Sequence, residues 1–274
     1  LRLPFVIPAV TINILKNMRK KIFAIANQKG GVGKTTTAIN LAASLAAAEK
    51  KTLLIDSDPQ GNTSSGVGID RSQIQKKNLY QALIGKIPLS DTLHPSPLPA
   101  LSVVPANQDL IGVEVEFVRL PDRERRMKGL LSQLSEEYDF IIIDCPPSLG
   151  FLTINALVAS DFLIIPLQCE YFAMEGLSQL MNTVRLVQGR LNPGLAIGGI
   201  LLTMFDTRNR LSHRVEEEVR KYFGKQVFQT VIPRNVRLSE SPSHGLPVLL
   251  YDLTSRGAVA YFELAREILN NGRA

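Results

Sequence analysis

From Lys21 onward, short unbroken apolar runs alternate with longer stretches whose apolar positions recur every three or four residues. The runs KIFAIAN (21–27), TLLIDSD (52–58), LSVVPAN (101–107), DFIIIDC (139–145), DFLIIPL (161–167) and IGGILLTMF (197–205) predict strands. They are nearly continuous, as strands covered on both faces of a parallel sheet must be. TTTAINLAASLAAAEK (35–50) places Ile39, Ala42, Ala43 and Ala46 on one helical face, and its alanines favour helix. Residues 122–137 and 173–190 predict further helices. GAVAYFELAREILNN (257–271) closes the series with Val259, Phe262, Ala265 and Leu269 on one face. Such alternation predicts βαβ units, hence an α/β fold with a doubly wound, mostly parallel sheet flanked by helices. The proline-spaced IPLSDTLHPSPLPA (87–100) reads as a surface loop, because the pattern resumes on both sides. One domain over residues 18–274 is the expectation.

LRLPFVIPAVTINILKN (1–17) stands apart from this pattern. Pro4 and Pro8 interrupt its apolar stretch, which is too short to span a bilayer. It reads as a non-native or disordered extension with Met18 the true first residue; an interfacial anchor is the alternative. No clear small-residue cleavage site of a signal peptide precedes Met18. The 274 residues carry a formal net charge of +6 with a pI near 9.4. Leaving out the extension removes Arg2 and Lys16 and no acid, so the basic balance persists. That balance suits nucleic acid or an acidic membrane surface without distinguishing them. Cys145 and Cys169 are too few for a disulfide scaffold, and no C-x-x-C pair suggests zinc, so a reducing cytoplasm is expected.

NQKGGVGKTTT (27–37) lies between the first predicted strand and the first predicted helix. Its glycines leave backbone N–H groups unobstructed and the helix dipole adds positive charge, so phosphate is the natural occupant. Lys34 would reach the β- and γ-phosphates, and the Thr35 hydroxyl would ligate Mg2+. The loop departs from the usual G-x-x-x-x-G-K-[ST] spacing, since Gly30 comes late and Lys29 precedes it. A tight βα turn that binds nothing is the plain alternative, and three acids argue against it. Asp56 and Asp58 in LLIDSDPQGN and Asp144 in FIIIDCPPSLG stand at ends of predicted strands, where ligands of open α/β sheets collect. Alternation along the second strand would put Asp56 and Asp58 on one side and Ser57 on the other. One acid would then face a metal and the other an attacking water. Singly, each could merely cap the next turn.

KGGVGKTT, IDSDPQGN and IIIDCPPSLG together resemble the ParA/Soj chromosome- and plasmid-partitioning ATPases, of the deviant Walker A (MinD/ParA) superfamily of SIMIBI-type P-loop NTPases. The resemblance continues through PLQCEYFAMEGLSQL and TVIPRNVRLSESPSHGLPV. It implies ATP and Mg2+ as cofactors, with Lys29, Gly30, Gly31, Val32, Gly33, Lys34, Thr35 and Thr36 around the phosphates. Pro233 and Asn235 match positions that contact adenine, and nothing resembles the N-K-x-D guanine signature. Thr35, Asp56 and Asp144 are implied at the metal, Asp144 as a Walker B acid. Asp58 is implied to orient or activate the water. Lys29 matches the lysine that crosses the interface of an ATP-bound homodimer to the other subunit's phosphates; otherwise it binds its own phosphates or solvent. Lys29, Lys34 and Asp58 are thus the catalytic candidates. DPQGN and DCPPSLG are candidate switch loops that respond to the γ-phosphate.

MFDTRNRLSHRVEEEVRKYFGK (204–225) is rich in arginine, and Arg234 and Arg237 follow it. No recognition helix or zinc module is evident, so any DNA contact would be non-specific and salt-sensitive. Read alone, these arginines are a solvated helix face; the resemblance implies that Arg208 and Arg237 bind double-stranded DNA. It further implies a ParB-type centromere-binding partner that stimulates otherwise slow hydrolysis, and a cytoplasmic, nucleoid-associated location. A MinD-like membrane-associated ATPase that positions cell division is the alternative. That role is disfavoured because REILNNGRA is short and polar beyond its packed helix, which makes membrane binding an unexpected property. Iron proteins of nitrogenase-like systems share the implied fold, but Cys145 and Cys169 do not match their cluster ligands. His94, His213 and His244 lack ligand spacing.

Overall fold

The computed structural model describes residues 20–70, 72–118, 120–135, 137–170 and 173–270. The expected extension, residues 1–17, lies outside them. Among the described residues seven strands form one sheet: β1 (Lys21–Ile25), β2 (Thr52–Asp56), β3 (His94–Pro95), β4 (Leu101–Val104), β5 (Phe140–Asp144), β6 (Phe162–Gln168) and β7 (Ala196–Thr203). Their spatial order is β3-β4-β2-β5-β1-β6-β7, and every pairing is parallel except β3 with β4. The helices are α1 (Lys34–Ala47), α2 (Asn62–Gly66), α3 (Leu79–Leu83), α4 (Leu110–Glu116), α5 (Arg126–Ser132), α6 (Phe151–Ala159), α7 (Ala173–Arg190), α8 (Arg210–Phe223), α9 (Val236–Glu240), α10 (Val248–Tyr251) and α11 (Arg256–Asn270).

Both faces of the sheet are covered, which explains the unbroken apolar strands. Ile22, Ala24, Leu53, Ile55, Ile141 and Ile143 pack with Leu83, Val113, Met127, Leu157 and Leu177 of α3 to α7. The intervening residues Phe23, Ile25, Leu54 and Ile142 point the other way, onto Ile39 and Leu45 of α1 and Leu264 and Ile268 of α11. Successive side chains of a strand alternate between faces, so each strand feeds two cores.

Several boundaries differ from the sequence reading. The second strand stops at Asp56, so Asp58 lies beyond the sheet and alternation does not place it. The strand begun at Leu101 ends at Val104. The helix expected over 122–137 is a 3-10 turn at Arg123–Arg125 followed by α5; within α5 only Met127 and Leu131 are buried, too short an apolar face to carry the helix further. The surface loop 87–100 contains a 3-10 turn and the antiparallel strand β3, which pairs His94 with Val103. On the last helix the buried face holds Ala258, Tyr261, Leu264, Ala265 and Ile268, turned one position from the expected one, leaving Val259 about half exposed. The additional apolar position Leu264 and a hydrogen bond between the Tyr261 and Thr37 hydroxyls (3.2 Å) favour that rotation.

Candidate nucleotide and metal site

β1 leads into the glycine loop and α1 leads out of it, so the loop sits at the carboxyl end of a central strand. Asn27, 2% exposed, anchors its start: Nδ2 donates to the Pro166 carbonyl of β6 (2.7 Å) and Oδ1 accepts from the Lys29 N–H (3.0 Å). Gly31 and Gly33 adopt φ of 74° and 89°, a region that residues with a Cβ rarely enter. Between them Val32 is buried, and its carbonyl accepts from the Thr203 hydroxyl of β7 (2.8 Å). The loop is therefore pinned from both sides while Gly30 and Gly31 remain exposed.

The side chains that follow converge. Lys34 is 7% exposed and its Nζ donates to the Lys29 carbonyl (3.0 Å). Burial lowers its pKa, opposed by the charges of Asp144 and Asp58. The Thr35 hydroxyl donates to Asp144 Oδ2 (2.8 Å). Thr36 follows on the first turn of α1, its carbonyl accepting from Asn40 Nδ2 (2.8 Å).

β2 and β5 are adjacent and in register, with Asp56 opposite Asp144. Neighbouring strands run about 4.8 Å apart, so two strand-end carboxylates stand side by side, both fully buried. Burial pushes Asp144 up to about 7, helped by the like charge of Asp56 and opposed by hydrogen bonds from Thr63 and Thr35. Burial likewise pushes Asp56 up to about 6, opposed by bonds from Ser64 and the Asp58 N–H. Asp58 itself is 8% exposed, and its Oδ1 accepts from the Gln60 N–H (2.9 Å). Its N–H donates to Asp56 Oδ1 (3.1 Å), so a turn, and not strand alternation, sets its position.

Asp144 Oδ1 is buried and has no hydrogen-bond partner among the described residues. A hard divalent cation favours oxygen ligands of this kind, a hydroxyl and carboxylates on one rim. The donor set of Thr35, Asp144 and Asp56 fits Mg2+, with Asp144 Oδ1 as the oxygen most in want of a partner.

Lys29 does not turn its amine onto its own loop. It is half exposed and ion-paired with Glu170, just beyond β6. Gln168 holds the other oxygen of Glu170 (2.5 Å). Pro233 bridges to Phe205 beyond β7, and the Ile232 N–H donates to the Leu202 carbonyl (2.8 Å). That segment thus runs beside the strand that touches the glycine loop. Asn235 caps α9, its Oδ1 accepting from the Arg237 N–H (3.0 Å), so its Nδ2 and the second lone pair of Oδ1 are left to serve a base.

The same crossing brings the arginines to one edge, where the Arg234 N–H donates to the Phe205 carbonyl (3.1 Å). Arg208, with an 88% exposed side chain, pairs with Asp206. Arg237 pairs with Glu240 and Asp252 and lies over the Tyr251 ring. Neighbouring acids raise the pKa of both guanidinium groups. Cys145 and Cys169 are free and buried; burial pushes the Cys169 thiol up to about 12 and the Cys145 thiol higher still. A groove of about 740 Å³ between α6 and α7 shares none of the site residues named above.

Sequence reasoning missed Asn27, Thr63, Ser64, Glu170 and Thr203. Four of them act through hydrogen bonds or an ion pair to groups distant in sequence and Ser64 reaches Asp56 eight residues back, so only the polar run NTSS beside Asp58 gave any local signal.

The profile of a family described as an AAA domain matches residues 20–197. The chromosome partitioning protein ParA of Myxococcus xanthus is 59% identical, over 91% of this chain and 88% of that protein. The sporulation initiation inhibitor protein Soj of Bacillus subtilis is 56% identical, over 92% of this chain and 99% of that one. A crystal structure of cobyrinic acid a,c-diamide synthase from Mycobacterium smegmatis, with bound ATP analogue and magnesium, superimposes with a TM-score of 0.81 at 35% identity. The likeness covers 93% of this chain and 97% of that one.

Proposed function

This chain belongs to the ParA/Soj family of chromosome-partitioning proteins, and from that premise we propose that it is an ATPase whose nucleotide state switches its grip on DNA during chromosome or plasmid segregation. The observation that carries the reading is the convergence of the glycine loop, Lys34, Thr35 and the paired acids Asp56 and Asp144 on one rim of the sheet.

ATP is the nucleotide and Mg2+ its companion ion. The metal supplies charge neutralisation of the β- and γ-phosphates when bound. The backbone N–H groups of the loop from Gly30 to Thr36 cradle the phosphates, and Lys34 leaves the Lys29 carbonyl to donate to them. Thr35, Asp144 and Asp56 hold the cation. Asp58, fixed by its own turn beside Asp56, orients the attacking water. Pro233 and Asn235 line the adenine side.

Lys29 is held by Glu170 in the single subunit. A second subunit's phosphates offer it a stronger partner, so ATP joins two copies face to face and Lys29 completes each site from across the interface. Arg208 and Arg237 of both copies then contact DNA phosphates together, and avidity turns weak attachment into retention. A ParB-type protein stimulates hydrolysis, which releases the pair from the nucleoid. The membrane-positioning alternative gains no support from α11, whose apolar face is buried against the core. Among the described residues no helix is long and apolar enough to cross a membrane.

Co-sedimentation with duplex DNA in ATP, ADP or no nucleotide, repeated across a salt series, tests the reading. Retention only with ATP and Mg2+, falling steeply with salt, is the expected result. Equal retention in all three states would overturn it.

A further inference from the structure

α2 begins four residues after Asp58 and touches both buried carboxylates with consecutive hydroxyls. Thr63 Oγ1 donates to Asp144 Oδ2 (2.7 Å). Ser64 donates to Asp56 Oδ2 twice, from its N–H (2.8 Å) and from its hydroxyl (2.7 Å). Neither residue is more than 1% exposed. The Ser64 hydroxyl also accepts from the Ala106 N–H (3.0 Å), so its single proton is committed to Asp56. Adjacent residues of a helix point about 100° apart, which lets one turn serve carboxylates on two neighbouring strands.

Thr35 and Thr63 share one oxygen of Asp144 in this structure. The Thr35 hydroxyl has one proton and two lone pairs, so it can keep that bond while its oxygen ligates a cation. Thr63 is the second donor on that oxygen, and with both hydroxyls on Oδ2 the carboxylate is held with its buried Oδ1 left for another partner. We infer that Thr63 and Ser64 are positioning residues: Thr63 holds Asp144, and Ser64 holds Asp56, in the orientation that receives Mg2+. The inference rests on the reading that the site takes Mg2+ with a nucleotide. It also ties the loop bearing Asp58 to the metal through a single helical turn. Hydrogen-bonding partners of metal ligands commonly govern affinity by 10- to 100-fold, which sets the size of the effect to look for.

The test measures binding of a fluorescent ADP analogue to the full chain, with Mg2+ titrated in and with EDTA. Thr63→Val keeps the shape and removes the hydroxyl. It should reduce the ratio of affinity with Mg2+ to affinity in EDTA by about tenfold, and Thr63→Ser should restore that ratio. Thr63→Val with the parent's Mg2+ dependence would overturn the role of Thr63. Ser64→Ala gives an independent measurement if Thr63→Val does not fold: a reduced ratio supports the inference, and an unchanged one overturns it. If the parent chain itself binds the analogue equally well with and without Mg2+, the metal reading fails first. That outcome is distinct from a loss confined to the variants.

Discussion

At the scale of single residues, the site is a balance between buried charges. Lys34 is desolvated and close to Asp144 and Asp58, so its charge is available to phosphate but costly to strand. Lys34→Ala should weaken ATP binding by roughly 30- to 100-fold, the loss of one or two charge-assisted hydrogen bonds, as measured by calorimetry. Asp144 shows the converse problem. Its folded value of about 7 lies above the ordinary carboxylate value near 4. Between those values the folded chain keeps a proton that the unfolded chain has lost, so stability falls as pH rises through this window. Asp144→Asn abolishes that ionisation. Thermal unfolding without nucleotide should find the variant about as stable as the parent at pH 4 and several degrees more stable at pH 8; parallel pH profiles would refute the assignment. The loop, Lys34 and Thr35 are legible in the sequence because spacing alone defines them. Thr63 and Ser64 are not, since their partners lie 81 and 8 residues away and no local pattern records the pairing.

At the scale of elements, the six parallel strands are legible because burial on both faces leaves unbroken apolar runs, whereas β3, two residues at the edge, has none. The short helices are not legible. NTSSG has weak helix propensity and no apolar period, and α2 is held by the acids it touches. The second strand reads two residues too long because LLID and SD follow one another without a breaker before Pro59. α9 is a comparable case, a single turn capped by Asn235 that carries Arg237 to the surface. Its guanidinium already has Glu240, Asp252 and the Tyr251 ring as neighbours, so DNA must compete with them. Arg237→Ala should lower DNA retention and reduce the slope of log K against log salt by about 0.9 for each phosphate that is no longer neutralised. Dimerisation should be untouched; a salt slope equal to the parent's would remove Arg237 from the DNA surface.

For the whole molecule, the register of β2 against β5 sets where everything else must be. The glycine loop, both acids and the Asp58 turn all leave the sheet at one rim, and Lys29 stands half exposed at its border. Asp58→Ala removes the group proposed to orient water without touching the phosphate cradle. With ATP and Mg2+ it should elute as a lasting dimer in size-exclusion chromatography, while the parent returns to monomer as ATP is consumed. A variant that stays monomeric would count against both the role of Asp58 and ATP-driven pairing.

The edges of the sheet bear on how two copies can meet. Along one margin β3 covers β4, and Pro95 within it has no N–H to offer a further strand. Along the other, β7 is bridged at Ile200 to Val227, and Phe205 just past its end is bridged to Pro233. Neither border invites another chain to extend the ladder, so fibre-like stacking through backbone pairing is discouraged. On the proposed reading, pairing of two copies is thereby steered away from the flanks and toward the top, where fuel and partner would arrive at the same place.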